Sequence, residues 1–290
     1  LAGLAESPYA SPQVMEQMRR NFGLDQPVHV QYARYLANLA RGDWGTSFAQ
    51  HRPVLNALRD AIPNTVVLGL AALLLDFIIG IAVGVAQALR PHSALDRTLS
   101  VGSLVLYSVP VFWLGLMLLL LFGQVLRWLP VGGVVDPVVY ASLGPFGRLL
   151  DRLQHLVLPA LTLSLVGAGS TARYQRAAML DALNQDFVRT ARAAGLSERT
   201  VVLRYAMRNA LLPTITLIGL SLPSLLSGAV LVETVFSWPG VGRLTVSAVL
   251  QRDYPMVAGA VLLAAFAVVA ANAAADVAYR LVDPRTREAA

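Results

Sequence analysis

The sequence predicts an all-α membrane protein, a polytopic bundle of helices. Of its 290 residues 56% are hydrophobic and only 14% are charged, and the mean hydropathy is +0.59. A soluble domain has about a quarter of its residues charged. Several apolar segments approach the length of about 20 residues that a helix needs to cross a bilayer. Since backbone groups within hydrocarbon must bond internally, these segments should be helices.

Five apolar segments are candidate spans, and prolines mark several of them. Pro63 suits the first turn of a helix, whereas Pro110, Pro213 and Pro223 fall inside apolar runs and predict kinks. The predicted spans cover about 63–89, 99–122, 155–174, 211–232 and 254–282. We therefore divide the chain into an extracytoplasmic segment, 1–62, and a transmembrane domain, 63–290.

The segment before the first span is amphipathic and too polar to cross a membrane. Pro27 suits the start of a helix there and Gly42 suits its end. One face of that helix carries the apolar residues Val28, Tyr32, Tyr35, Leu36 and Leu39. We expect it to lie along the membrane surface or to cap the bundle. The chain begins with Leu1 rather than Met, so we also expect that something precedes it.

Two absences exclude much chemistry. The sequence has no cysteine, and all 23 basic residues are arginine. A phosphate-binding loop and a Schiff base both need lysine, and thiol nucleophiles and disulfides need cysteine. The four histidines are scattered and form no metal-binding motif. We therefore predict no catalytic residue and no metal site. The arginines lie between spans, where lipid or a protein can meet them, so we expect no nucleic acid partner.

An arginine-rich stretch, DFVRTARAAGLSERTVVLRYAMRNALLP, covers residues 186–213 between the third and fourth spans. Near the ends of the spans, most arginines fall on the side that holds this stretch when the long 1–62 segment is left out. Because arginine and lysine accumulate in cytoplasmic loops, we place the stretch in the cytoplasm.

The same stretch reads as two helices joined by a turn. Gly195 would end the first helix and Ser197 would cap a second one from Glu198. One face of the first helix is apolar, with Leu183, Phe187, Ala191 and Ala194, and the opposite face carries Asp181, Gln185, Arg189 and Arg192. Two interpretations are open: an interfacial helix pair whose arginines reach lipid phosphates, or a docking element for a soluble protein.

A resemblance favours the docking interpretation. Arg189-Thr190-Ala191, followed by three residues and Gly195, resembles the EAA loop of membrane subunits of ATP-binding-cassette (ABC) importers. Arginine and threonine replace the first two residues of that motif, as is usual in its peptide branch, and the closing Leu-Pro is residues 212–213. Further similar stretches are FGLDQPVHVQYARYL, RGDWGTS, HLVLPALTL, ARYQRAAMLDALNQDFVRTARAAGL, RNALLPTIT, ETVFSWPGVGRL, RDYPMVAG and VDPRTRE. In this order they identify the chain as a member of the dipeptide/oligopeptide/nickel group of importer permeases.

The resemblance implies a type I ABC importer permease in the bacterial inner membrane. The chain would form half of a translocation pathway and couple to a separate ATPase through residues 181–213, which overlap the coupling loop 175–210 between the third and fourth spans. It also implies a further span before Leu1. The implied partners are a second homologous permease, two ATPase subunits or domains, an extracytoplasmic substrate-binding protein and the bilayer. ATP and Mg would be used by the ATPases, with no cofactor on this chain. The implied coupling residues are Arg189, Thr190, Ala191, Arg192, Gly195, Leu196, Ser197 and Glu198.

Two further groups of residues have both a structural and a functional interpretation. The stretch SWPGVGRL is a turn with an aromatic anchor, or else an external gate or binding-protein contact formed by Trp238, Pro239, Gly240 and Arg243. Asp76 in the first span pairs with a neighbouring helix or lines the substrate path. The serines that would line such a path, or simply pack, are Ser108, Ser164, Ser221, Ser224 and Ser227.

The principal alternative function is a stand-alone channel or secondary carrier. It predicts charges deep in several spans, or an inverted repeat. The sequence has one clear charge in the middle of a span, Asp76, and no such repeat. The cargo is left open between a peptide, a nickel chelate and another small solute.

Overall fold

The computed structural model describes residues 26–211, 213–214 and 229–282, with side chains to residue 273. This part is helical and has no β-strand apart from one isolated bridge, Thr46 to Pro53. Residues 207–211 and 229–235 are also helical. The helices are α1 Val28–Ala40, α2 Val54–Leu89, α3 Ala94–Ser108, α4 Val111–Leu118 with its π-helical continuation Leu119–Val125, α5 Pro145–Leu183, α6 Asp186–Ala193, α7 Glu198–Thr200 with its π-helical continuation Val201–Ala206, α8 Val241–Leu250 and α9 Tyr254–Val282.

The centre of the bundle is a close pairing of α2 with α5. A Cβ atom at Gly80 would lie 2.6 Å from the Cβ of Thr171, and one at Gly84 would lie 2.6 Å from the backbone oxygen of Ala172. Only glycine therefore fits at these two positions. Small residues four apart let two helices approach closely in a membrane, where packing rather than hydrophobic burial holds them together.

Helix α2 begins at Val54, earlier than the predicted start at Pro63, which lies inside the helix. The extra turns are stabilised by burial. Val54 and Leu58 are fully buried and pack against Met256 and Ala260 of α9. The apolar pattern of the span does not predict this contact, because the partner residues lie about two hundred residues further along the chain.

The second predicted span, 99–122, is a bent pair of helices. Pro110 separates α3 from α4, and the two axes differ by 106°. Proline disfavours helical backbone in the residue before it, and Val109 is extended with φ −76° and ψ 132°. In the described residues, three helices are long and apolar enough to cross a membrane, or four if this pair is one span. Most of the predicted span 211–232 lies outside the described residues.

A buried carboxylate fastens the loop before α2 to the start of α9. The Asp253 carboxylate accepts hydrogen bonds from the Ser47 hydroxyl, from the Phe48 amide at 3.1 Å and from the Ala49 amide at 3.2 Å. Burial raises the pKa of Asp253, but these bonds and one from the Met256 amide outweigh it, so the net pKa lies below the ordinary value. Hydrogen bonds donated to a carboxylate stabilise its charged form and therefore lower its pKa.

Replacing Asp253 with asparagine should therefore destabilise this loop at neutral pH. A depressed pKa in the folded state contributes stability that is present above the unfolded value of 3.8 and is lost as the pH falls through the lower folded value. Loop stability can be followed by limited proteolysis of the detergent-solubilised protein from pH 7 downward. The difference between wild type and Asp253→Asn should shrink only below about pH 4. An equal difference at all pH values would contradict this assignment.

Candidate functional site

The arginine-rich loop folds into an elbow, defined here as residues 186–206. Helix α6 ends in a Schellman motif, because the Leu196 amide donates to the Ala191 carbonyl and the Gly195 amide donates to the Arg192 carbonyl. Gly195 has φ +76°, and in the described part of the chain no atom lies within 4 Å of where its Cβ would be. Within this chain the glycine is required for its backbone angle and not for space. Ser197 then caps α7 by accepting from the Thr200 amide.

One face of the elbow is buried against the bundle. Val188 is fully buried and Ala191 is 5% exposed, and both belong to a buried cluster that also contains Met179 of α5 and Ala88 of α2. This corrects the predicted apolar stripe: Ala191 faces inward, Ala194 is exposed and Val188 takes its place in the buried face. The spacing from 188 to 191 follows the helix period as well as the predicted set does, so the sequence pattern alone does not choose between the two faces.

The outer face of the elbow presents charge and two partly exposed apolar side chains. Phe187 and Leu196 are each 37% exposed, and Arg189 and Thr190 are exposed. Arg192 binds the Glu198 carboxylate through two nitrogens, at 3.1 Å and 2.7 Å, which ties the two helices together across the turn. The hydrogen bond from Arg192 lowers the pKa of Glu198. A helical surface with apolar side chains flanked by charged ones is suited to dock into a groove on another protein.

The helix after the turn departs from α-helical geometry. Residues Val201–Ala206 form a π-helix, and Val201, Val202 and Ala206 are buried in the same cluster as Val188. In a π-helix each backbone hydrogen bond spans one residue more than in an α-helix, which widens the helix locally, and such stretches are frequent at functional sites. Here it lets two adjacent valines enter the cluster.

The buried face allows a matched pair of substitutions. Ala191→Asp should place a charge in an apolar cluster and unfold the elbow, because a buried unpaired charge costs several kcal/mol. Ala193→Asp, on the exposed side of the same helix, should leave the elbow folded. The rate of protease cleavage near residue 195 measures the difference. Equal cleavage of both variants would show that the elbow does not pack as described.

A second arrangement of polar residues lies at the opposite end of the bundle. We call it the latch: Asn64 and Thr65 of α2, Glu233, and residues 237–243. The Glu233 carboxylate is fully buried and accepts from the Thr65 hydroxyl at 2.7 Å, from the Arg243 amide at 3.0 Å and from the Gly242 amide. It therefore caps the N-terminus of α8, where a negative charge is favourable.

The remaining latch contacts hold the loop 237–240 against α2. The Trp238 indole donates to the Asn64 carbonyl at 2.9 Å, and the Asn64 amide donates to the Pro239 carbonyl at 2.9 Å. Trp238 is only 2% exposed. It is therefore an internal anchor in this chain and offers no surface to lipid or to a binding protein. A Cβ at Gly240 would collide with the Glu233 carboxylate. Arg243 is exposed and donates to the Ser237 carbonyl.

The predicted pathway residues lie apart from one another. Asp76 is 9% exposed and accepts from the Thr171 hydroxyl at 2.8 Å, beside Gly167, so its carboxylate joins α2 to α5. Ser164 is buried and Ser108 is exposed, and each donates to a backbone carbonyl of its own helix. The other three predicted serines, Ser221, Ser224 and Ser227, lie outside the described residues. Among the described residues no cluster of three His, Asp or Glu could hold a metal.

Sequence reasoning missed the acceptors that organise the outer side. The sequence patterns assign no role to Asn64, Thr65, Glu233 or Asp253. The signal for Glu233 is an acidic residue at the end of an apolar span, in the segment ETVFSWPG that leads to the Pro239-Gly240 turn. An acid at that depth needs donors, and the amides at the start of the next helix supply them.

Comparisons with known proteins agree with the resemblance. Two family models match: the binding-protein-dependent transport system inner membrane component over residues 77–288, and the N-terminal part of such a membrane component over residues 2–69. The chain is 43% identical to the probable D,D-dipeptide transport system permease protein DdpB of Escherichia coli (strain K12), covering 98% of this chain and 87% of that protein. It is 40% identical to the oligopeptide transport system permease protein AppB of Bacillus subtilis (strain 168), covering 97% and 88%.

Solved structures of low sequence identity share the fold. An inward-facing structure of the MetNI methionine ABC transporter matches with a TM-score of 0.62 at 18% identity, over 79% of this chain and 97% of that chain. An amino acid ABC transporter crystallised with histidines matches with a TM-score of 0.55 at 11% identity, over 78% and 94%. The fold is thus that of importer permeases, and with the family match over most of its length this chain belongs to the inner membrane components of binding-protein-dependent transport systems.

Proposed function

We propose that this chain imports peptides and that its elbow is the surface through which an ATPase moves it. Family membership makes the chain a permease subunit of an ABC importer in the inner membrane, with separate ATPases, a second permease and a binding protein. The peptide cargo is supported by the curated relatives, which are named as dipeptide, D,D-dipeptide and oligopeptide permeases. ATP and Mg would be held by the ATPases and not by this chain.

The proposed role of the elbow is supported by its two different faces, one of which is buried and one exposed. The buried face places Val188 and Ala191 in one cluster with Met179 of α5 and Ala88 of α2, and this cluster includes the π-helical stretch Val201–Ala206. The outer face carries Phe187, Arg189, Thr190 and Leu196, and nothing in the described residues covers it. A protein that binds the outer face would therefore move the two central helices with it. Such switching moves packed helices as rigid bodies.

The predicted coupling residues fall into four groups. Gly195 and Ser197 shape the turn, Arg192 and Glu198 brace it, and Ala191 fixes the elbow to the bundle. Arg189, Thr190 and Leu196 are left to meet the ATPase. The external gate stays a proposal for Pro239 and Arg243, the exposed members of its set, whereas the buried Trp238 and Gly240 support the loop from inside.

The role of the elbow in ATPase binding and peptide uptake can be tested in the reconstituted transporter. The experiment reconstitutes the two permeases, the ATPases and the binding protein in liposomes and measures peptide uptake and ATP hydrolysis together. Substituting Arg189→Glu should weaken retention of the ATPase on the membrane complex and reduce uptake, without altering insertion of the chain. Uptake by this chain in vesicles that lack the ATPase would overturn the proposal in favour of a secondary carrier.

A further inference from the structure

A layer of polar side chains crosses the bundle directly beside the elbow. We call it the polar layer: Gln87, Asp96, Ser100, Gln175, Arg176 and Thr214. It adjoins the elbow's hydrophobic cluster, since Ala88 follows Gln87 on α2 and Met179 stands one turn after Gln175 and Arg176 on α5. The layer therefore lies between the surface that the ATPase would contact and the helices that enclose the pathway.

An ion pair with two parallel hydrogen bonds forms the centre of this layer. Arg176 of α5 donates through Nε to Asp96 Oδ1 and through Nη2 to Asp96 Oδ2, both at 2.8 Å. The Asp96 side chain is 6% exposed and that of Arg176 is 28% exposed. Asp96 also accepts from the His92 amide at 2.9 Å, so it closes the turn between α2 and α3. A planar pair of this kind fixes orientation as well as distance.

Other members of the layer extend the connection to further helices. The Gln87 amide donates to the Ser100 hydroxyl at 3.2 Å, which joins α2 to α3. The Thr214 hydroxyl donates to Gln175 Oε1 at 2.5 Å, which joins α5 to the start of the fourth predicted span. Among the described residues, the buried atoms Gln87 Oε1 and Gln175 Nε2 have no hydrogen-bond partner.

We infer that Arg176 and Asp96 are positioning residues, which make the turn at 90–96 and helix α3 follow the elbow when it moves. Helix α5 leads from Arg176 to the elbow in two turns, so a displacement of the elbow moves Arg176. Asp96 must follow, because separating the pair would leave a buried carboxylate without its counter-charge. The inference rests on the proposed role of the elbow and extends it to helix α3.

The test separates a transmitting role from a merely structural one by neutralising both partners. Arg176→Gln or Asp96→Asn alone leaves a charge unpaired and should lower the amount of assembled complex. The double variant Arg176→Gln/Asp96→Asn has no unpaired charge and should restore assembly. It should nevertheless move about tenfold less peptide per ATP hydrolysed, since the coupling between the sites is lost. A matched control is the exposed external ion pair of Arg52 and Asp60, whose double neutralisation should change neither quantity.

A distance measurement provides a second readout. The chain has no cysteine, so Ala94→Cys and Ala193→Cys can carry two spin labels at exposed positions on α3 and on the elbow. Their distance should stay constant when ATP is added to the wild-type complex and should change in the double variant. A double variant with normal peptide uptake per ATP, or a wild-type distance that changes with ATP, would overturn the inference. If Gly195→Pro also left uptake normal, the elbow's role itself would fail, and not the ion pair alone.

Discussion

Gly195→Pro is expected to abolish peptide uptake and its stimulation of ATP hydrolysis while the chain still inserts in the membrane. Proline fixes φ near −65°, whereas Gly195 has φ +76°. Proline also removes the amide that donates to the Arg192 carbonyl. Both halves of the Schellman motif are thereby lost, so α6 and α7 can no longer meet at the observed angle. Uptake and ATP hydrolysis in reconstituted liposomes, with membrane content measured in parallel, check this result.

Two milder substitutions at Gly195 distinguish the backbone angle from close approach by a partner. Gly195→Ala should cost about 1 kcal/mol in the left-handed conformation, and Gly195→Asn should cost less. Since no atom of the described residues lies within 4 Å of the added Cβ, the asparagine variant should stay active if only the backbone angle matters. An inactive asparagine variant with a folded elbow would instead show that the ATPase packs against this glycine. An active Gly195→Pro would contradict the role of the elbow.

Glu233→Ala is expected to give the largest loss of stability, about 3 kcal/mol or more. The carboxylate is fully buried, and its removal leaves the Thr65 hydroxyl and the amides of Gly242 and Arg243 without an acceptor. Buried donors without partners cost more than the bonds themselves contribute. The start of α8 should loosen, and with it the loop 237–240. Thermal unfolding of the purified chain in mild detergent measures the loss.

Two comparisons make the Glu233 result specific. Glu233→Gln keeps one acceptor oxygen and should lie between wild type and alanine. Asp60→Ala removes an acid that is 69% exposed on the same side of the bundle, and exposed ion pairs contribute only about 0–1 kcal/mol. An unfolding temperature for Glu233→Ala that matches Asp60→Ala would show that the latch does not hold the loop.

The sequence was sufficient to predict the fold class and the turn of the elbow, because both depend on patterns among residues that are close in sequence. Apolar runs determine the helices, and Gly195 followed by Ser197 marks a helix end and a helix start. The helix at Val28–Ala40, with Pro27 before it, was also predictable from its period. The resemblance to importer permeases was confirmed by the family match.

The features that sequence reasoning missed depend on contacts between distant segments. Pro110 predicted a kink, but the 106° angle depends on how α3 and α4 pack on α5. The sequence predicts one apolar face with Phe187, Ala191 and Ala194, but the helix period also permits a neighbouring stripe through Val188 and Ala191, and only the cluster around Met179 selects it. Glu233 and Thr65 are hydrogen-bonded although they are 168 positions apart in the sequence, so no local pattern predicts this contact.

Helix α5 runs without interruption for 39 residues, from Pro145 to Leu183. At a rise of 1.5 Å per residue it is about 58 Å long, nearly twice the thickness of the hydrocarbon core. Such a rod acts as a lever that reaches both aqueous compartments. A tilt of about 5° would displace its far end by about 5 Å. A tilt of α5 would therefore transmit binding at the outer surface to the inner surface without any change in the secondary structure of this helix.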